Sequence, residues 1–318
     1  MENTKVVFVF KDSRHFNWIG TLGGLYRYDG AEVVKYGLEK GINDPYLQSS
    51  MVEDQKGNLW FCSLKKLYCY DRLRDTCLNF GGFKLVNGEE TLSDYSLIHL
   101  DAQDQLWLTA GNGLYSIDLQ KTIQKKQLVF QPYSTGNDQI SGKRFSPILD
   151  AQKKFNGFFE YRFYGPGMKI WTLGDKKNFS SRLYFSNTET NQAAYDIRQV
   201  LPYPSQKNKY ILCTSVGLKV FDTAKKQLQD LFSLPTAPHF TYAIFIKPHL
   251  LLCSTYEALY YFDLTTGKHS KANDWSGSLN SNTISHQKFT ELVLDRDGIL
   301  WGLVYDEGLC FTNPEVTI

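Results

Sequence analysis

Residues 54–71 read Asp54-Gln-Lys-Gly57-Asn-Leu-Trp60-Phe-Cys-Ser-Leu-Lys-Lys-Leu67-Tyr-Cys-Tyr-Asp71, and most of the chain repeats that pattern in other words. An Asp, a tight turn with Gly, a Trp inside a short apolar run, a brief loop and then Leu-Tyr-x-Tyr-Asp describe two strands with turn formers on both sides. Neither strand buries both of its faces alone, so each unit needs neighbours.

Moving outward, the pattern recurs at Asn17-Trp18 to Asp29, at Asp101 through Trp107 to Asp118, and at Asp295 through Trp301 to Asn313. A weaker copy is read at Lys169-Ile-Trp171 to Asn187, with a longer loop. Two more, around Ile211 and Leu251, carry an aliphatic residue in place of Trp. The anchors Trp18, Trp60, Trp107, Trp171, Ile211, Leu251 and Trp301 stand 42, 47, 64, 40, 40 and 50 residues apart. A period of about 40 to 50 residues built of short strands is that of a propeller, one four-stranded blade per unit. The sequence therefore predicts an all-β, seven-bladed β-propeller with antiparallel blades, as a single domain over residues 1–318.

Composition agrees with a sheet-rich body: the chain is 42% hydrophobic and 15% aromatic, with 20 Tyr and 21 Phe. The formal charge of +2 is spread rather than clustered, which argues against nucleic acid or an anionic membrane as partner, since both need a concentrated basic field. No apolar run reaches the roughly 20 residues of a membrane span. The N-terminal stretch 1–10 runs straight into a strand without a signal-peptide layout, so the chain reads either as cytosolic or as a piece excised from a longer protein. Ring closure falls to residues 315–318 or to chain outside this sequence.

The six Cys have no metal-ligand spacing, and no cofactor is implied. Cys62, Cys213 and Cys253 share one register, two residues after the anchor, and read as small core fillers. Cys69 and Cys77 flank the turn 71–75, either as a disulfide across a hairpin or as two unrelated thiols. Between Asp150 and Trp171 the template fits worst: residues 158–164 read either as the innermost strand of the fourth blade or as an inserted hairpin.

The residues of the repeat carry a family resemblance. Asp-x-x-Gly-x-Leu-Trp with a following Gly-Leu-Tyr-x-Tyr-Asp, as at residues 54–71 and 101–118, resembles the two-component regulator propeller repeat of hybrid two-component histidine kinases. About half of the chain resembles that repeat well, and the remainder agrees by spacing. The resemblance implies a periplasmic sensor segment, with an adjacent propeller, an immunoglobulin-like domain and a downstream kinase in the parent receptor, and a homodimer formed through the full-length receptor.

Three classes of function follow. The first is a non-catalytic sensor binding an oligosaccharide. The second is a propeller glycosidase or lyase, for which Glu160, Asp175, Glu257 and Asp306 are the available carboxylates. Such an enzyme needs two held about 5 to 9.5 Å apart, and nothing in the sequence pairs these. The Asp-x-x-Gly turns also differ from the Asp box of sialidases, where Gly follows Asp by two residues. The third is a protein-interaction or dimerisation scaffold.

Function on a propeller sits on the loops that enter each innermost strand and on those joining the second and third strands. Sugar recognition needs aromatic faces and planar or charged donors. The candidates are Tyr46, Tyr95, Arg144, His239, Tyr242 and His286 at the entries, and Tyr256 and Tyr305 in the second-to-third-strand loops. Trp275, in a loop of small polar residues, is a candidate stacking platform or folds back over its blade. For each of the others the alternative is a solvated loop side chain or a packing contact between blades. Arg144 with Lys143 suits an acidic sugar.

Overall fold

The computed structural model describes residues 5–48, 50–81, 95–111, 113–141, 144–150, 152–161, 167–185, 196–204, 206–232, 239–272, 289–304 and 308–312. Seven separate antiparallel sheets follow one another, each a meander in chain order, and the chain is a seven-bladed β-propeller as its period requires. Blade one is β1 (Val6–Lys11), β2 (Asn17–Thr21), β3 (Gly24–Tyr28) and β4 (Val33–Tyr36). Blade two is β5 (Val52–Glu53), β6 (Leu59–Cys62), β7 (Leu67–Asp71) and β8 (Thr76–Asn79). Blade three is β9 (Ser96–Leu100), β10 (Gln105–Ala110), β11 (Gly113–Asp118) and β12 (Phe130–Tyr133), with a short helix α1 (Leu119–Lys125) before its last strand. Blade four is β13 (Arg144–Leu149), β14 (Phe155–Tyr161), β15 (Met168–Leu173) and β16 (Phe179–Tyr184). Blade five is β17 (Ile197–Pro202), β18 (Lys209–Thr214), β19 (Gly217–Asp222) and β20 (Gln227–Phe232). Blade six is β21 (Phe240–Lys247), β22 (Leu250–Thr255), β23 (Leu259–Asp263) and β24 (His269–Lys271). Among the described residues blade seven has three strands, β25 (Phe289–Leu294), β26 (Leu300–Val304) and β27 (Gly308–Thr312). The chain divides into two compact units, residues 1–160 with 170–182, and residues 161–169 with 183–318.

The polar residues of the repeat each tie a turn. Asp12, Asp54, Asp101, Asp150 and Asp295 end an innermost strand, and one carboxylate oxygen of each accepts the backbone N–H groups two and four residues on, at 2.8–3.0 Å. That geometry puts the third residue after the Asp in the left-handed region: Gly57 and Gly298 lie at φ 80° and 79°, with His15, Asp104 and Lys153 taking the same conformation in other blades. Glycine accepts it without the Cβ clash, which is the physical content of Asp-x-x-Gly. In four blades the other carboxylate oxygen accepts the indole N–H of the Trp six residues on: Trp18, Trp60, Trp107 and Trp301, at 2.9–3.1 Å. A buried indole N–H and a buried carboxylate thus satisfy each other.

The next two turns follow the same logic. Thr21, Ser63, Thr214 and Thr255 close the second-to-third-strand turn by accepting backbone N–H groups two or three residues on. Asp29, Asp71, Asp222 and Asp263 do the same where the third strand turns into the fourth.

The anchors also make the core. Trp18 clusters with Leu59, Phe61 and Tyr70 of blade two, Trp60 with Leu106 and Leu108 of blade three, and Trp107 with Phe155 and Phe158 of blade four. In the other unit Ile211, Leu251, Cys213 and Cys253 fill the equivalent space.

Blade four departs from the sequence reading. Trp171 lies on the third strand, β15, not on the second; the second strand is β14, and residues 158–161 belong to it rather than to an innermost strand or an inserted hairpin. The turn before β14 is made by Asp150, but the position six residues on is the exposed Asn156, which offers no indole. Trp171 is buried through a different pair: its indole N–H donates to Glu160 Oε2 at 2.5 Å, and its ring stacks on Phe158 with centroids 5.8 Å apart.

Cys69 and Cys77 are free thiols. Cys69 lies opposite Leu78 and Cys77 opposite Tyr70, so the two side chains leave opposite faces of the sheet, one into each neighbouring apolar cluster. Thiol titration of the unfolded protein without reductant is expected to count all six Cys.

Between blades one and two, Asp75 gathers four donors: Tyr36 at 2.5 Å, Tyr70 at 2.8 Å, Lys40 at 2.7 Å and Arg27 at 3.3 Å. Partial burial alone would raise its carboxyl, but hydrogen bonds from Lys40, Tyr36 and Tyr70 and the Lys40 charge outweigh that and hold it at about 2. A carboxyl depressed in the folded state stabilises above its unfolded value of 3.8 and loses that contribution as pH falls through about 2. Acid titration of unfolding midpoints should therefore show a stability loss between about pH 4 and 2. The Asp75→Asn variant should be less stable at neutral pH and lack that part of the loss, and an unchanged acid profile would sink the assignment.

Candidate functional site

In the first unit, the loop entering β5 is held rigidly against the turn between β6 and β7. Asn43 accepts from Lys66, Tyr68 and Asn79 at 2.8–3.0 Å, and Asp44 accepts from Ser63 Oγ at 2.8 Å and the Lys65 N–H at 3.2 Å. The backbone joins as well, with the Leu64 N–H donating to the Tyr46 carbonyl at 2.9 Å. Tyr46 stands on this pinned loop with 57% of its surface exposed. The polar turn formers 41–46 thus do more than reverse the chain: they present one ring to solvent.

Tyr95, read as a second candidate, is buried in the apolar cluster between blades two and three and takes the packing alternative. Arg144, half-buried, is the first residue of β13. Lys143 falls outside the described residues, as do Trp275, His286, Tyr305 and Asp306.

In the second unit three candidates are described, two at the start of the innermost strand β21 and one in the turn between β22 and β23. His239 is exposed just before β21, and its ring lies 5.3 Å from that of Tyr256 in the turn between β22 and β23. The entry loops and the second-to-third-strand turns therefore share one end of these blades. Tyr242, half-buried on β21, packs against the apolar cluster of Leu252, Phe289 and Leu292.

The residue that organises this cluster is Arg198, the second residue of β17. It is 1% exposed, donates through Nη2 to Asp196 at 2.8 Å, and reaches from blade five to blade six to donate through Nη1 to the Tyr256 hydroxyl at 2.5 Å. Burial works against its charge, but the bonds to Tyr256 and Asp196 outweigh it and move the guanidinium above its ordinary value. The next residue repeats the reach: Gln199 Oε1 accepts the Ala243 N–H of β21 at 2.7 Å. Arg198 lies inside a strand, whereas the loop positions of a propeller are where its sequence points to function. Its signal was a charged residue inside the strand Ile197-Arg-Gln-Val-Leu201, where alternation leaves no exposed position to explain it.

The carboxylates considered for hydrolysis are differently placed. Glu160 is buried and accepts from the Trp171 indole and the Ser141 N–H, which is a structural role. Glu257 is exposed on the turn beside Tyr256, and Asp175 begins a short 3-10 turn (Asp175–Lys177). Among the described residues no group of three His, Cys, Asp or Glu side chains is arranged to hold a metal ion. No described helix is long and apolar enough to cross a membrane.

No family model matches the sequence, and no curated protein matches it. Solved structures do match in fold. The extracellular domain of BT4673 from B. thetaiotaomicron superposes with a TM-score of 0.72 at 17% identity, over 98% of this chain and 40% of that one. The extracellular domain of the hybrid two component system BT3049 from the same organism gives 0.66 at 22% identity, over 99% and 40%. YCF48 bound to D1 peptide gives 0.66 at 9% identity, over 96% of this chain and 92% of that one. The chain thus spans about 40% of the length of the two extracellular domains it matches, and at these identities the likeness is one of fold.

Proposed function

We propose that this chain is a non-catalytic propeller of an extracellular or periplasmic sensor, and that it recognises an oligosaccharide. The observation that carries the reading is the His239–Tyr256 pair of the second unit, two rings 5.3 Å apart at the entry and turn end of blade six, with the Tyr256 hydroxyl held by Arg198. In the first unit, taken by itself, Tyr46 is presented on a hydrogen-bonded loop. A loop or ring tied by hydrogen bonds, as at Tyr46 and Tyr256, keeps the ordering cost of binding low, and flat aromatic faces suit sugar rings. The repeat pattern and the likeness to BT4673 and BT3049 support the sensor context, in which an adjacent propeller and an immunoglobulin-like domain are the partners and a homodimer forms through the full receptor. Binding acts on such an assembly only through different affinities for its two states.

Calorimetric titration against neutral and acidic oligosaccharides, with each mixture assayed for cleavage, tests this. Saturable heat with intact sugar is the expected result; cleavage would move the protein to the enzymes. A second reading, a protein-binding scaffold, draws on the match to YCF48, a propeller of nearly the same extent seen with a peptide. Silence across the sugar panel with capture of a defined peptide would favour it.

A further inference from the structure

We infer that the end of blades five and six is a subsite for an uncharged sugar ring, with His239 and Tyr256 as its contact surface and Arg198 as the residue that positions Tyr256. This rests on the oligosaccharide reading above and names the ligand chemistry at one place.

The argument begins with what the buried guanidinium does there. Neighbouring blades of this unit adhere through apolar side chains, as in the cluster of Ile211, Leu218, Phe240, Leu251 and Phe262. Adhesion of that kind needs no buried charge, and removing a guanidinium from water is costly before its partners compensate. Arg198 instead directs its fork at a side chain near the surface, the hydroxyl of Tyr256, and its other arm is fixed by Asp196. Asp196 is held in turn through its backbone, which exchanges hydrogen bonds with Ser215 in the turn between β18 and β19: its N–H donates to Ser215 Oγ at 3.4 Å and its carbonyl accepts the Ser215 N–H at 3.0 Å. The guanidinium carbon also lies 5.1 Å from the Tyr256 ring centroid. The ring is therefore held from its hydroxyl end, with the imidazole of His239 beside it at an interplanar angle of 42°. Two tilted rings, His239 exposed and Tyr256 half-buried, offer aromatic faces to the C–H face of a pyranose or furanose.

The charges choose between neutral and acidic sugars. Among the described residues at this end, the Arg198 charge is met by Asp196, and the exposed Glu257 beside Tyr256 adds a negative charge. A carboxylate or sulfate on the ligand would be set against the Glu257 carboxylate, whereas hydroxyls of a neutral sugar donate to carboxylates and accept from donors equally well.

The test uses the whole chain and two sets of probes: gluco-, xylo-, manno- and arabino-hexaoses, and hexagalacturonate with a sulfated glycosaminoglycan hexasaccharide. A neutral hexaose is expected to bind, with His239→Ala weakening it about five- to tenfold and Tyr256→Ala abolishing measurable binding. Tyr256→Phe keeps the ring but loses the Arg198 bond, and should weaken binding about three- to tenfold. Arg198→Lys, which keeps a donor, should bind more tightly than Arg198→Met at equal folded fraction. His239 is exposed, so its variant folds and keeps the proposal falsifiable. Neutral binding unaffected by His239→Ala and Tyr256→Phe, or binding of acidic probes alone, would overturn this subsite while leaving the oligosaccharide reading standing. Absence of binding by every probe would overturn both.

Discussion

Replacing Trp60 with alanine is expected to lower the unfolding free energy by about 3–5 kcal/mol, the largest effect of any single anchor substitution. Trp60 is fully buried, its ring lies among Leu106, Leu108 and Tyr95 of the next blade, and it stacks on Phe80 at 5.5 Å. Truncation leaves a cavity that strand backbones fixed by two ladders cannot collapse to fill. It also removes the indole donor from Asp54, which is 4% exposed and keeps only Asn58 and backbone donors. The Trp60→Phe variant separates the two effects: it retains most of the packing and should cost about 1–3 kcal/mol for the lost donor. Urea denaturation followed by circular dichroism measures both. A Trp60→Ala midpoint equal to that of the parent would contradict the blade assignment itself.

The second large effect belongs to Arg72, which joins the first two blades. Its Nη1 lies 2.8 Å from Asp12 Oδ2 and its Nη2 3.0 Å from Glu53 Oε1, while Nε donates to the Gly57 carbonyl at 2.5 Å. Asp12 is wholly buried and the Glu53 side chain 6% exposed, so neither carboxylate turns to water when the arginine is removed. Arg72→Met should cost about 3–5 kcal/mol, because breaking a buried pair leaves uncompensated charge. Arg72→Lys should recover only part of that, since one ammonium cannot span two carboxylates with fork geometry. Adding Glu53→Gln to Arg72→Met should cost less than the sum of the single changes, and strict additivity in the double-mutant cycle would refute the coupling. Raising NaCl to about 0.5 M should barely alter these differences, as burial shields the group from screening ions.

The candidate site was only partly legible. His239 and Tyr256 were visible as loop aromatics, and the structure sets them side by side. Tyr95, a tyrosine just before β9, is core, packed in the cluster of Trp60, Leu106 and Leu108. Tyr46 and Tyr95 are both tyrosines of entry loops; what differs is the packing around each, solvent for one and an apolar cluster for the other, which local pattern does not record. The fourth blade failed for a related reason. Trp171 imitates an anchor in sequence, whereas Asp150 had already set the turn and the register position, Asn156, lies 49 residues after Trp107, an ordinary blade interval.

What the sequence by itself determined was everything that closes within about six residues: the Asp turns, their left-handed third residue, the Thr and Ser turns, the indole partner six positions on, and through their period the seven blades. These interactions are local, so their residue types and spacing are their description. Tertiary structure alone decided which side chains cross from one blade to the next. Arg72 meets Asp12 across 60 residues and Arg198 meets Tyr256 across 58. Such pairs have no spacing rule, because a blade-length offset brings many residues near one another and only packing selects the pair that touches.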